Sequence, residues 1–440
     1  MKRLVVAGAA GLIATSPKWL PGRVVALRNR IFALVNGDEG YPVPVEDFRR
    51  VYADPAADGR SEGAALSDLF WYWLAPGPQV HQEHLEPGPR YDEVAKTTRS
   101  ILVKSKAESQ ALTERVAARV LDRIETGPGR LLRLRDEMMP VWAELYYELV
   151  FGEPCPPEAR DLIVGHADDV VSALKCVRPR NMRRRARLTA YLRRRLDDVP
   201  HPLPSRLTRE EQVFYLQGTF FNTAVVQMSE AMAHLLMVLA EHPRVQRRLA
   251  ENPDDDEYFD RVLDECLRTY PLFGIAHRIS TGDIELADRT IDAGTVLLFS
   301  YPEFHHAGLD RADEFDPERW AGCPAHQQRN FLPFGVAQNR PCPARGLAPV
   351  TMRVVTREFL RRFTLATSAA HTRSIPNRGP VFVTPRGSRR NPRTALAYLA
   401  VRDRWEDVWR SLAQLVFGTY MVLDARRLRL CTKHFQGGTR

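Results

Sequence analysis

A mainly α-helical chain with a minor β-sheet is the fold class that the sequence predicts. Three observations carry it. Apolar residues recur at three- and four-residue steps over long stretches, the signature of helices with one buried face. One of those stretches, 207–241, is long and carries both a start and a stop signal. Strand-like pieces are short and come late in the chain. At 440 residues and 44% hydrophobic content the chain fits one large domain with a sizeable core. No fixed period repeats, so a solenoid is not expected.

The elements follow in order. Residues 1–36 open with Lys2 and Arg3, then an apolar run of eleven residues from Leu4 to Ala14. That run is too short to span a bilayer, and no small-residue cleavage site of a signal peptide follows it. Residues 23–35 are basic and amphipathic. An ordinary surface segment is the default reading, and contact with a membrane surface is the alternative. From 92 to 124 the apolar set Ile101, Leu102, Leu112, Val116, Val120 and Leu121 keeps helical spacing. Helices are predicted over 129–150 and 157–176, separated by Pro154, Pro156 and Pro157. In 207–241, Thr208 and Glu211 form a capping box, and His242-Pro243 stops the helix. Strands are predicted at 284–286 and 296–300, with turns at Thr281-Gly282 and Ala293-Gly294, and an extended piece at 380–385. Residues 394–423 carry Trp405, Trp409, Leu412, Val416 and Tyr420 at helical steps. They are read as a helix packed on the body with its basic face outward.

Charge and cysteines narrow the function classes. The net charge is +9, and residues 389–440 alone hold eleven Arg/Lys against four Asp/Glu, a net of +7. A second basic cluster, RPRNMRRRARLTAYLRRR, spans 178–195. No nucleic-acid-binding module surrounds it, so a solvated helical face is the reading and no nucleic-acid partner is expected. The six cysteines (Cys155, Cys176, Cys266, Cys323, Cys342 and Cys431) show no paired C-x-x-C spacing. Zinc and a disulfide framework are therefore not expected, and a reducing cytoplasm fits.

Residues 331–348 read FLPFGVAQNRPCPARGLA. Cys342 lies between two prolines, Arg340 precedes it by two, and Leu347-Ala348 stands where a helix could begin. A thiolate at a helix mouth is stabilised by unpaired N–H groups and the dipole, and such a thiolate suits an iron ligand. On this stretch alone a buried structural cysteine is an equal alternative. A second motif lies upstream, in YFDRVLDECLRTYPL at 258–272. Glu265 and Arg268 are three apart and share a helix face. Phe315-Asp316-Pro317-Glu318-Arg319-Trp320 then offers a second guanidinium. One carboxylate between two arginines is a way to hold a buried charge network.

Together these motifs resemble those of the cytochrome P450 family, the haem-thiolate monooxygenases. Glu265 and Arg268 match the family's E-x-x-R pair, and Pro317-Glu318-Arg319-Trp320 its P-E-R-F/W motif. Phe334, Arg340, Cys342, Leu347 and Ala348 match its cysteine loop. The likeness runs from about residue 60 to 387 and is strongest from 209 onward. The loop departs from the pattern. Phe334 is eight residues before the cysteine rather than seven, and Gln338 and Ala344 stand where the family has glycines. The resemblance implies the P450 fold over 37–387, preceded by the 1–36 segment and followed by an additional helical extension, 388–440.

It also implies haem b (iron protoporphyrin IX), with Cys342 as the iron ligand. Cys323 is the alternative thiol nearest in the chain. Arg278, Arg340 and Arg99 would hold the propionates, and Phe334 would lie against the haem. Glu265, Arg268 and Arg319 would form the structural network. The family's acid–alcohol pair on the central helix falls at Val226 and Gln227 by counting back from His242-Pro243. Matching from Gly218 instead places it at Asn222-Thr223. Neither register offers a carboxylate, so Gln227, Thr223 and Asn222 are the candidate proton-relay residues. A lipophilic substrate pocket is expected between 220–227, 272–275 and 69–78. The implied activity is oxidation of a lipophilic small molecule with O2 and electrons from a ferredoxin and its reductase, or a similar donor. The location expected is cytoplasmic, with peripheral contact at the inner membrane face as an addition. A peroxide-dependent or non-oxygenase haem-thiolate enzyme, and a silent haem-binding protein, are the alternatives.

Overall fold

The computed structural model describes residues 2–36, 40–322 and 330–437. Cys323 lies outside the described residues. Helix α1 (Lys2–Asn36) runs through Pro17 and Pro21 and leads to a short strand, β1 (Gly40–Pro42). Helices α2 (Val45–Ala53) and α3 (Ala65–Leu74) follow. The stretch read as one helical segment over 92–124 is two helices, α4 (Pro89–Leu102) and α5 (Lys106–Leu121). The break has a local cause. The Ser105 side chain accepts from the Glu108 N–H while Glu108 reaches back to the Ser105 N–H, a capping box that starts a new helix. The predicted helix over 129–150 loses its first turn to strand β2 (Arg130–Arg133), and α6 (Leu134–Phe151) takes the rest. Pairing with a distant strand decided those four residues, which a local period cannot show.

Helices α7 (Pro157–Leu174) and α8 (Met182–Arg195) come next. The arginines of the 178–195 cluster are largely used internally. Arg178 and Arg184 pair with Asp168, Arg193 with Glu210, and Arg195 with Glu153. Arg185 is fully buried on Asp169 and the carbonyls of Trp73 and Ala75.

The long helix at 207–241 is present as α9 (Arg209–Gly218), a π-helical stretch over 219–224, and α10 (Val225–Glu241), with the Thr208–Glu211 capping box formed. It is long and apolar enough to cross a membrane, yet most of it is buried inside the body. It is a core helix, packed on α6 with its apolar residues buried all round. Beyond it lie α11 (Pro243–Glu251), α12 (Asp256–Thr269), β3 (Ile275–Ile279), β4 (Ile284–Glu285), β5 (Thr290–Ile291), β6 (Val296–Ser300) and α13 (Tyr301–His306). The chain continues with α14 (Ala348–Arg362), β7 (Phe363–Ala366), β8 (Pro380–Pro385), α15 (Arg393–Leu428) and α16 (Leu430–Gly437). The strands among the described residues form three small sheets, ordered β1-β6-β3, β2-β8-β7 and β4-β5.

The expected packing of the C-terminal helix is reversed. In α15 the buried residues include Asp403, Arg410 and Ser411 alongside Leu399, Met421 and Val422. Trp405, Trp409, Leu412, Val416 and Tyr420 are exposed. The body offers α15 a polar seat: Asp403 accepts from the Ala370 N–H and from Asn377, and Arg133 pairs with Glu406. Helix α1 runs beside α15, with Arg28 donating to Gln414 at 3.1 Å. Phe32 and Val35 of α1 join Met421, Val422 and Ala425 in a small apolar cluster.

Candidate functional site

Helix 209–241 is buried along most of its length, yet Thr223, Ala224, Val226 and Gln227 are half-exposed. These four positions form an opening in the middle of an otherwise buried helix. The opening coincides with the π-helical stretch over 219–224, an irregularity that such helices often carry at functional sites. Cys342 is half-buried, and one carboxylate relates it to this helix. Glu83 accepts a hydrogen bond from Gln227 Nε2 at 3.3 Å, and its charge also helps to raise the Cys342 thiol. Glu83 therefore stands between the predicted iron ligand and the predicted relay residue.

Cys342 is not at the mouth of α14. Five turn residues separate it from Ala348, so the dipole argument does not apply to it directly. The loop itself supplies the local support. The Cys342 N–H donates to the Phe334 carbonyl at 3.0 Å, and the Ala344 N–H donates to the sulfur. Burial, with Glu83 adding to it, pushes the thiol up to about 11 despite the Ala344 bond. The residue would be a neutral thiol near pH 7 unless a metal took the proton's place. The missing family glycines are compensated. Gly335 (φ +70°) and Arg340 (φ +49°) take left-handed conformations, so the tight turns sit at shifted positions. The half-buried Phe334 serves the loop through its carbonyl.

A group of cationic and imidazole side chains is gathered around Arg60. Arg340 pairs with Asp58, donates to the Leu85 carbonyl at 2.7 Å and lies 3.8 Å from the Tyr91 ring centroid. Arg278 is fully buried and donates to the carbonyls of Tyr52 (2.8 Å), Ala57 (3.1 Å) and Asn339 (3.4 Å). Arg60 acts on both, and on His84 and His277. Burial and the Arg60 charge push Arg340 down to about 10 and His277 down to about 4. Buried nitrogens without partners cluster here: Arg60 Nε, Arg278 Nε, Arg340 Nη2 and His84 Nδ1. Buried donors left unpaired are costly, and an anion would satisfy them. These residues would hold the carboxylates of a prosthetic group, and Cys342 would be its metal ligand. Arg99 does not join the buried group. It is exposed on α4, where its carbonyl accepts from the Val103 N–H, and it lies near enough to Tyr91 to act on it.

The remaining predicted residues fall as follows. Asn222 is buried in the π-helical stretch with its Oδ1 unpaired. Thr223 Oγ1 shares a hydrogen bond with His81 Nε2, and burial holds that imidazole below its usual value. The two registers weighed for the relay thus have separate partners, both from the segment before α4. Neither register carries a carboxylate of its own, but Glu83 from outside the helix is hydrogen-bonded to Gln227. Sequence reading missed it because residues 144 positions apart share no local pattern. The expected pocket wall at 272–275 is only partly in place, since Phe273 and Ile275 are exposed.

The charge network is formed and dry. Glu265 and Arg268 are both fully buried, and Arg268 Nε and Nη2 donate to Glu265 at 2.9 and 2.8 Å. The Asp316 N–H and Trp320 Nε1 also donate to Glu265, each at 3.0 Å. Arg319 is a weaker partner, with Nε 3.5 Å from Glu265 and its other nitrogens on the carbonyls of Asp310 and Arg311.

These arrangements define a haem-thiolate protein of the P450 architecture. A sequence model of the cytochrome P450 family matches residues 158–390, and the chain belongs to that family, whose cofactor is haem b. The chain is similar to cyclooctat-9-en-7-ol 5-monooxygenase of Streptomyces melanosporofaciens, 28% identical over 32% of this chain and 34% of that protein. It is 29% identical to putative cytochrome P450 135B1 of Mycobacterium bovis over 43% of each. The matched stretch therefore spans less than half the length of these relatives. Among solved structures, a six-coordinated cytochrome P450 from Thermus thermophilus superposes with a TM-score of 0.59 at 20% identity, covering 79% of this chain and 99% of that one. A zebra fish cytochrome P450 with abiraterone gives 0.63 at 18% identity, covering 78% and 93%. These structures share the fold.

Proposed function

We propose that this chain is a haem-thiolate monooxygenase that oxidises a lipophilic small molecule with O2 and electrons from a separate carrier protein of the ferredoxin type. The observation that carries the reading is Glu83, which accepts from Gln227 on the central helix and also acts on the half-buried Cys342, together with the unpaired buried guanidinium nitrogens of Arg60, Arg278 and Arg340. Cys342 would hold the haem iron through its thiolate. Arg60, Arg278 and Arg340 would hold the propionates, with Arg99 at the rim. Haem, when bound, supplies reductive O2 activation and transfer of one oxygen atom. The chain's own residues supply the rest. Glu83 accepts from Gln227 Nε2 and so positions its amide. His81, neutral near pH 7, fixes the Thr223 hydroxyl. Phe220 and Phe221, both buried next to Asn222 and Thr223, supply apolar surface there that would favour an apolar ligand. A hydrocarbon-framework substrate is supported by the relative named for oxidising cyclooctat-9-en-7-ol. The catalytic body proposed is 37–387, in the cytoplasm, with 1–36 and 388–440 appended.

The test is the spectrum of the purified protein reduced under carbon monoxide, followed by turnover with ferredoxin and reductase against turnover with peroxide. A strongly red-shifted Soret band and ferredoxin-driven turnover are expected. An unshifted band overturns the thiolate ligand, and turnover with peroxide alone overturns the O2 reading.

A further inference from the structure

The long C-terminal helix is inside-out for a helix packed on a soluble body. Tyr398, Val401, Trp405, Trp409, Leu412, Val416, Tyr420 and Leu423 of α15 recur at three- and four-residue steps, and all are exposed. Trp409 is 72% exposed and Val416 63%. At 1.5 Å per residue the stripe is about 38 Å long. Single exposed apolar residues are ordinary, but a continuous stripe of this length marks a partner surface. Between Val408 and Leu423 the one charged residue is Arg410, and it is buried.

Charge selects the partner. Helix α1, which lies beside α15, has six Lys/Arg and no Asp/Glu. With the +7 of residues 389–440, the two appended segments hold +13, and +9 minus +13 leaves the rest of the chain at −4. On α1, Lys18, Arg23 and Arg30 are exposed together with Trp19, Leu27 and Leu34. We propose that α1 and α15 form a docking face that lays the α15 stripe on an anionic lipid bilayer. Trp and Tyr seat at the boundary between headgroups and acyl chains, where one end of the side chain is apolar and the other wet. A helix with an apolar face and basic flanks lies in that plane, and anionic headgroups satisfy the cations. A second copy of the chain is disfavoured, because like charges of this size would face each other. An acidic soluble protein would answer the cations and leave the aliphatic stripe in water. The inference stands apart from the proposed activity, since none of these residues belongs to the proposed site.

The experiment uses the full-length protein and vesicles of phosphatidylcholine with and without phosphatidylglycerol, read by co-sedimentation. Binding at least tenfold tighter to the phosphatidylglycerol vesicles is expected, weakening as salt rises. Trp409→Asp with Val416→Asp is expected to weaken it at least tenfold while melting temperature and carbon-monoxide spectrum stay unchanged, because both positions are exposed. Arg23→Gln with Arg30→Gln is expected to flatten the salt dependence and leave residual apolar binding. The proposal is overturned if the parent protein stays in the supernatant, or if the aspartate variant binds as the parent does. It is equally overturned if the parent is a dimer that this variant splits, or if the variant loses an acidic electron carrier but keeps the vesicles.

Discussion

Replacing Glu265 by alanine tests a fully buried charge. Its carboxylate accepts from Arg268 twice, from the Asp316 N–H and from Trp320 Nε1, all within 2.8–3.0 Å. The variant leaves Arg268 fully buried with only the carbonyls of Ala312 and Glu314 and the Thr269 hydroxyl as acceptors. Stranding one member of a buried pair costs about 3–5 kcal/mol. Unfolding entropy near the midpoint is about 2.1 cal/mol/K per residue, so a body of roughly 350 residues has about 0.7 kcal/mol/K. The expected fall in melting temperature is therefore about 4–7 °C, with a lower yield of haem-loaded protein. Arg268→Ala should cost a similar amount by stranding the carboxylate. The double variant should cost less than the sum of the two, because the singles share one interaction. Thermal melting by circular dichroism and haem content per protein are the assays. A Glu265→Ala protein melting within about 1 °C of the parent, against the cost expected for a stranded buried charge, would refute the reasoning.

Cys342→Ser is expected to abolish the red-shifted carbon-monoxide band, since a neutral hydroxyl is a poor iron ligand. An unchanged band would assign the ligand elsewhere. Glu83→Gln keeps a partner for Gln227 but removes the ionisable group. Turnover should fall about 10²-fold, as for loss of a general acid, with the carbon-monoxide band intact. In the haem-free protein the same change should lower the Cys342 thiol below its value of about 11, because the neighbouring negative charge is gone. Alkylation rate against pH reads that shift, and an unmoved thiol would show that Glu83 does not face the sulfur. For His277, burial and Arg60 hold the folded value at about 4. The unfolded chain therefore takes a proton near pH 6.5 that the folded protein refuses, and stability falls as pH drops from about 6.5 to 4. His277→Phe, which preserves the stack on Phe70, should flatten that part of the urea-midpoint profile. An unchanged profile would place the acid sensitivity at other groups.

What the sequence revealed about this chain follows the range over which each interaction is encoded. Glu265 and Arg268 are three apart on one helix, so their pairing was readable before any tertiary structure. The same holds for the Thr208–Glu211 capping box and for the stop at His242-Pro243, where neighbours within four residues decide the geometry. The break between α4 and α5 was encoded just as locally, in Ser105 and Glu108, and could have been found by the signal used at Thr208. The carboxylate proposed for the relay was a different case. Glu83 meets Gln227 only because the segment before α4 folds across the central helix, and no spacing rule links positions 83 and 227. The α15 helix shows the limit of amphipathicity itself. Its two faces were legible, but which face turns inward was settled by the partners waiting there. Asn377, the Ala370 N–H and Arg133 present donors to Asp403 and Glu406, so the polar side docks and the tryptophans are left outside. Burying unsatisfied polar groups costs more than leaving apolar ones in water. A helix that meets a polar seat therefore docks its polar side, and the apolar side is left for another surface.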